Sequence, residues 1–318
     1  RCVWFLSNPG GRSHGAAHDM FLEGHNNGDI FESSAGRLTM LLQGTFRDNP
    51  FLDSDYMNTL KSATRNDPTK QAMWLDGSWH LLGGSLFGSV YSNDNAVRWF
   101  PDSSFYNQED WKFTLGYDDG QASPAWCGLF AEARTMTRGP DDQTYRKGSI
   151  VLVAEFCTAR PDDRTKGDYS TTKDIAKGIC RMCADWYDVR RFGYGDPMIF
   201  KADGHEQTLG HLFVDNGVTI EPASSRARVP GWSILKQYLA NAQPVGRRHD
   251  GDPALYVTEA AAPHEVWELK NAMPSPKNPD DTDGSDHSLD GTRYYLGSEI
   301  NKGGGVEVYD FWTGLRTI

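Results

Sequence analysis

Three apolar runs separated by short turns, over residues 112–117, 124–134 and 147–156, constrain this chain more than any other feature. Runs of that length, rich in β-branched and aromatic residues and bounded by Asp, Gly and Pro, read as strands joined into an antiparallel meander. The pattern then changes. Residues 172–187 carry Ile175, Ile179, Met182 and Trp186 at helical spacing. A fourth strand is expected over 197–202, ending at Asp203, and a short one over 218–222. A helix at 232–239, a strand at 254–257 and helices at 262–271 and 287–296 complete the region. Strands first and alternating elements afterwards define a mixed α/β sheet flanked by helices.

The region before this, residues 1–110, is poorer in regular pattern. It starts on what reads as a strand at residues 1–6, broken by Ser7, Asn8, Pro9, Gly10 and Gly11, and holds a helix near 54–64. The chain has 318 residues, enough for two domains, and the change of pattern divides it into 1–110 and 111–318. A chain opening inside a strand, with no initiator Met and no signal peptide, is expected to be a piece of a longer protein.

Composition narrows the function classes. The longest apolar run, about residues 150–154, falls far short of the ~20 residues of a membrane helix, so membrane anchoring is excluded. A formal net charge of -11 argues against a protein that coats nucleic acid. It does not exclude an acidic metal centre, where a bound divalent ion reverses the local sign. Five cysteines in a long chain point to a reducing compartment rather than to a secreted disulfide framework. Cys180 and Cys183 form a C-x-x-C without a second pair to complete a zinc site, and lie within the expected helix, so they read as buried thiols. His14 and His18 lack the Glu of a zinc protease helix and read as solvated, and Gly303, Gly304 and Gly305 read as a turn.

Three acids stand where chemistry is expected. Asp118 ends the first strand of the meander, Asp203 follows the fourth strand, and Asp286 opens the last helix. Ligands of open α/β sheets gather at the carboxyl ends of strands. Buried carboxylates that converge need cations, and oxygen donors suit Mg²⁺ or Mn²⁺. Two such ions activate a water and stabilise the leaving oxygen of a phosphodiester.

These residues carry a resemblance. Gly116, Asp118 and Gly120 followed by Ser123 and Pro124, then Lys201-Ala202-Asp203, then Asp286, His287, Asp290, Arg293 and Tyr294 in a D-H-x-x-D-x-x-R-Y pattern, make residues 111–297 resemble the nuclease domain of phage terminase large subunits. Those are the DNA-packaging motor proteins of tailed bacteriophages. Ser7 to Gly11, Asp48-Asn49-Pro50 and Gly77-Ser78-Trp79 resemble the end of the motor's ATPase domain and its linker. The resemblance implies an RNase H-like fold preceded by a partial ATPase segment. It implies a metal-dependent endonuclease that cuts concatemeric viral double-stranded DNA, with Asp118, Asp203 and Asp286 as ligands of two Mg²⁺ or Mn²⁺ ions. It also implies work in the host cytoplasm at the procapsid, with the portal protein, the small terminase subunit and the N-terminal ATPase part as partners. The chain contains no G-x-x-x-x-G-K-[ST] loop, so ATP hydrolysis is not expected of it.

Secondary candidates surround the three acids. Asp119 competes with Asp118, Glu155 ends the third strand, His205 follows Asp203, and Asp290 lies one helical turn after Asp286, within reach of Arg293. Arg226, Arg228, Arg247 and Arg248 are candidates for phosphate contact. Two alternatives remain open from sequence: a portal- and DNA-docking module whose nuclease is silent in isolation, and a resolvase-like nuclease on the same fold.

Overall fold

The computed structural model describes the chain except residues 1–5, 7–16, 23, 34–35, 46–47, 49–50, 52–53, 64–72, 74, 76, 78, 80–84, 89, 98–105, 107, 139–142, 187–188, 202–206, 225–226, 243–251, 276, 303–307, 310–315 and 318. The chain divides into two compact units. One comprises Arg1–Ser89 and Leu269–Asp283, the other Val90–Glu268 and Gly284–Ile318. The strand expected over residues 1–6, apart from Leu6, lies outside the described residues, as do the Ser7 to Gly11 motif, His14, Asn49, Pro50, Ser78 and Gly303 to Gly305.

In the first unit the described elements are short: a hairpin of Ile30–Glu32 with Leu38–Met40, the helix Ser54–Ala63, and a second hairpin of Met273–Pro274 with Thr282–Asp283. Ala17, Leu22, Met73, Leu75, Leu86, Phe87, Leu269 and Ala272 are among its buried apolar residues.

The second unit is built on a seven-stranded sheet. Its strands are β1 (Ala96–Val97), β2 (Trp111–Asp118), β3 (Trp126–Ala133), β4 (Ile150–Cys157), β5 (Phe192–Gly195), β6 (Thr219–Pro222) and β7 (Leu255–Thr258). Their spatial order is β6-β5-β2-β3-β4-β7-β1. The β2-β3-β4 meander is antiparallel, and β5, β6, β7 and β1 are added in parallel. An antiparallel meander whose first strand also takes two parallel strands on its free edge is the RNase H-like arrangement. The sheet is flanked by α1 (Thr172–Ala184), α2 (Leu209–Asp215), α3 (Arg228–Ala240), α4 (Pro263–Asn271) and α5 (His287–Lys302).

One expectation is overturned. Of the strand expected over 197–202, the described residues 197–201 form none: Pro197–Phe200 are a 3-10 turn, and the fourth strand of the RNase H-like core is β5, which ends at Gly195. Asp196 caps the turn, accepting a hydrogen bond from Met198 N at 2.9 Å, with Pro197 at the first helical position. Asp followed by Pro is the signature of a helix start, where the missing N–H is not needed. The apolar Met-Ile-Phe run after it packs as a turn of helix rather than as a strand.

The central strands are apolar on both faces because both are covered. On β2, Tyr117 faces α2, meeting Phe213 edge-on at 4.9 Å between ring centroids. Gly116 faces α5. A Cβ on Gly116 would stand 2.5 Å from the Gly291 carbonyl oxygen and 3.0 Å from Tyr295 Cβ. A Cβ on Gly291 would stand 2.5 Å from the Trp126 ring. The two glycines therefore let α5 lie close against β2 and β3. Phe130 stacks on Tyr295 at 4.2 Å beside them. This close approach brings the first turn of α5 to the carboxyl end of β2.

Cys127, Cys157, Cys180 and Cys183 are free thiols, and among the described residues no helix is long and apolar enough to cross a membrane.

Candidate active site: an acidic cluster at the carboxyl end of the sheet

Strand alternation separates the two adjacent acids. Asp118 shares its face with Gly116 and so lies under α5, where its Oδ2 is 2.9 Å from His287 Nδ1. Asp119 turns to the side of Tyr117 and accepts its hydroxyl proton at 2.6 Å. Burial raises the Asp118 carboxyl to about 7; the hydrogen bond with His287 opposes this, and the charges of Asp290 and Asp196 add to it. Burial also raises Asp119, against the bond from Tyr117. Burial alone would lower the His287 imidazole, but the Asp118 bond and charge, with Glu268 and Asp286, raise it overall.

The parallel register aligns Gly195 of β5 with Tyr117 of β2. Asp118 follows Tyr117 and Asp196 follows Gly195, and the charge of Asp196 acts on the Asp118 carboxyl. Asp196 was not singled out from sequence. Its signal was the Gly-Asp-Pro sequence closing an aromatic run, read there as the beginning of a strand instead of the end of one.

Asp286 and Asp290 approach from α5. Both are buried, and Asp290 N donates to the Asp286 carbonyl at 2.8 Å. Arg228, the first residue of α3, forks across them: Nη1 donates to Asp290 Oδ2 at 2.8 Å and Nη2 to Asp286 Oδ2. Asp290 Oδ1 accepts from Arg293 Nε at 3.0 Å and Nη2 at 2.8 Å. Burial raises the Asp290 carboxyl against the pull of these cations. Both guanidiniums lie over the Trp232 ring, Arg228 at 5.2 Å and Arg293 at 5.3 Å from its centroid. Arg228, a candidate for phosphate contact from sequence, pairs here with both acids.

Glu155 sits apart from this cluster. Its carboxylate accepts from Trp126 Nε1 at 2.9 Å and from the backbone N–H groups of His264 at 2.6 Å and Glu265 at 3.1 Å. It caps the start of α4. Glu268, on the same helix, does the same for α5, an interaction with no sequence signal because donors and acceptor are some 20 residues apart. Asp203, His205, Arg226, Arg247 and Arg248 lie outside the described residues.

Among the described residues no three His, Cys, Asp or Glu side chains form a ready metal-binding group. Oxygens of Asp286 and Asp290 are turned to Arg228. The donor set nevertheless fits a hard divalent cation. It offers carboxylate oxygens, and the Asp286–Asp290 pair already holds a positive group.

None of the protein-family models matches the sequence, and no curated protein does. Among solved structures, the large terminase of a thermophilic bacteriophage is similar at 15% identity and a TM-score of 0.45, over 93% of this chain and 62% of that one. The chain thus spans less than two thirds of that protein. The P22 large terminase nuclease domain is similar at 12% identity and a TM-score of 0.44, over 69% of this chain and 97% of that one. The large terminase nuclease from the thermophilic phage G20c, with bound cobalt, is similar at 11% identity and a TM-score of 0.38, over 67% and 97% of the two chains.

Proposed function

We propose that this chain carries a metal-dependent endonuclease, the nuclease part of a phage terminase large subunit that cuts concatemeric double-stranded DNA during genome packaging. One observation supports this most. Acids at the carboxyl ends of the neighbouring strands β2 and β5, and in the first turn of α5, gather on an RNase H-like sheet. In this reading Asp118, Asp196 and Asp286 hold Mg²⁺ or Mn²⁺, two ions in all. Asp196 is proposed for the strand-end role expected of Asp203, since β5 ends at Gly195 and Asp203 lies outside the described residues.

Divalent ions would supply the charge that activates a water and stabilises the leaving oxygen of the phosphodiester. The chain's own groups do the rest. His287 fixes the Asp118 carboxylate through Nδ1. Arg293 anchors Asp290 from the buried side, and Arg228 brings positive charge to the open side. Asp119, held by Tyr117, is an outer group. The portal protein, the small terminase subunit and the ATPase part of the same motor are the partners this reading entails, at the procapsid in the host cytoplasm.

The test is cleavage of supercoiled plasmid by the chain in EDTA, Mg²⁺ or Mn²⁺, without ATP. Asp118→Asn, Asp196→Asn and Asp286→Asn are expected to abolish metal-dependent cleavage, by about 10²-fold or more, the scale of losing one group aimed at developing charge. An Asp203→Asn variant that loses activity beside a fully active Asp196→Asn would return the strand-end role to Asp203. Full activity in Asp118→Asn would sink the site.

A further inference from the structure

The two arginines on the acidic pair are not equivalent. Arg293 is fixed: it is 3% exposed, makes two bonds to one oxygen of Asp290, and lies against the faces of Trp232 and Tyr294. Arg228 also lies over the Trp232 ring, but its side chain is 34% exposed. Its guanidinium spans Asp286 and Asp290 through one nitrogen each. A buried carboxylate pair needs a cation to remain charged. Arg293 supplies one permanently, whereas Arg228 supplies one from the solvent side, by a side chain long enough to turn away.

We infer that Arg228 is an exchangeable counter-ion: it holds the Asp286–Asp290 pair until a divalent cation takes the Asp286 carboxylate, and then serves a phosphate of the duplex. This rests on the nuclease reading above. Both halves follow from charge. Arg228 and a metal compete for the same oxygens, so each weakens the other's hold. A guanidinium released beside the site matches a phosphate through the same paired N–H groups it now gives to carboxylates. Metal loading and DNA affinity become coupled, and reciprocally so.

The experiment compares the intact chain with Arg228→Gln and Arg228→Lys, each verified as folded by circular dichroism. Mn²⁺ binding is measured by calorimetry, and binding of a duplex oligonucleotide by anisotropy in Ca²⁺ and in EDTA. Arg228→Gln is expected to bind Mn²⁺ about tenfold more tightly, within the usual range of site coupling. It should bind duplex more weakly than the intact chain in Ca²⁺, with a salt slope smaller by about 0.9, one phosphate contact. In EDTA the two should bind duplex equally. Arg228→Lys, which cannot span both carboxylates, should fall between for Mn²⁺, and carries the test alone if the Gln variant does not fold. Unchanged or weaker Mn²⁺ affinity in a folded variant would overturn the inference, as would an equal loss of DNA affinity in EDTA. If the intact chain binds Mn²⁺ and cuts DNA while these results fail, the inference alone falls. If neither intact chain nor variants bind Mn²⁺, the nuclease reading falls with it.

Discussion

Replacing Glu268 with Ala tests how the first turn of α5 is held. This fully buried carboxylate lies under the start of the helix that carries Asp290 and follows Asp286. Oε1 accepts from Ser285 Oγ at 2.7 Å and His287 N at 3.2 Å; Oε2 accepts from Ser288 N at 2.8 Å, Ser288 Oγ at 2.7 Å and Leu289 N at 3.4 Å. His264 Nε2 stands 3.3 Å from Oε1. Burial opposes ionisation here, but the bonds and charge of His264, with Ser285 and Ser288, hold the carboxyl at about 2. Truncation leaves three helix N–H groups without their acceptor, at roughly 1–3 kcal/mol for each that water cannot reach. It also strands a buried imidazolium, and breaking such a pair costs about 3–5 kcal/mol. These overlap, so the expected loss is about 3–5 kcal/mol, with Glu268→Gln losing less because one oxygen still accepts. Urea unfolding at pH 7 reads this as a lower midpoint at unchanged slope. A folded carboxyl below its unfolded value stabilises fully above about pH 4.5 and loses that contribution as pH falls towards 2, so the mutant and parent should converge in acid. A loss below about 1 kcal/mol for Glu268→Ala would refute the reasoning, because a cap with five donors cannot be that cheap.

Two further predictions concern the same layer. Glu265 is fully buried, accepts from Thr292 Oγ1 at 3.0 Å, and is raised by burial to about 8. Its folded form keeps a proton that the unfolded chain releases near pH 4.5, so stability should fall between about pH 4.5 and 8, by up to about 1.4 kcal/mol per pH unit. Glu265→Gln should flatten that fall in urea midpoints measured across pH, and an unchanged slope would show that the group is ionised in the fold. Gly116→Ala should cost about 1–3 kcal/mol or more by forcing a Cβ to within 2.5 Å of the Gly291 carbonyl. A thermal shift would measure it, and a wild-type melting temperature would mean that α5 yields freely.

What could be read from the sequence was what periodicity and local motifs encode. The meander showed because β2, β3 and β4 are long apolar runs between turns, and α1 because Ile175 and Ile179 recur at helical spacing. Asp118 and Asp286 stood out by motif, and α5 opens at His287 as expected. Boundaries moved where tertiary packing decides them: α3 begins at Arg228, four residues before the expected start, with no side-chain cap, and Arg228 is held instead by acids from α5. The fourth strand was displaced because β5 is four residues long and half glycine, a weak strand signal, while the apolar residues after Pro197 gave a stronger one. Gly193 is required there, since a Cβ would stand 2.1 Å from the Leu115 carbonyl oxygen of β2. The tightness that brings Asp196 beside Asp118 is thus also what hid the strand.

The acidity of the chain then has a local logic. A net charge of -11 repels duplex DNA at long range, and screening leaves contacts within about 10 Å to decide binding at about 0.1 M salt. At that range the acidic cluster is covered by its own cations, Arg228 and Arg293 on Asp286 and Asp290. Asp118 pairs with His287 rather than with an arginine, and its carboxyl too is raised, in part by the charge of Asp196. Positive charge is therefore least where β2 and β5 end and greatest over the first turn of α5. On the nuclease reading, a divalent ion is drawn first to the carboxylates where β2 and β5 end, beside Asp286, and a phosphate to the arginines over the first turn of α5. On the proposed nuclease reading, a site built this way takes metal before DNA. Mixing order should matter accordingly: duplex added before metal should engage more slowly than duplex added to the metal-loaded chain, in a stopped-flow anisotropy experiment with Ca²⁺. Equal rates in both orders would mean that the charges act independently.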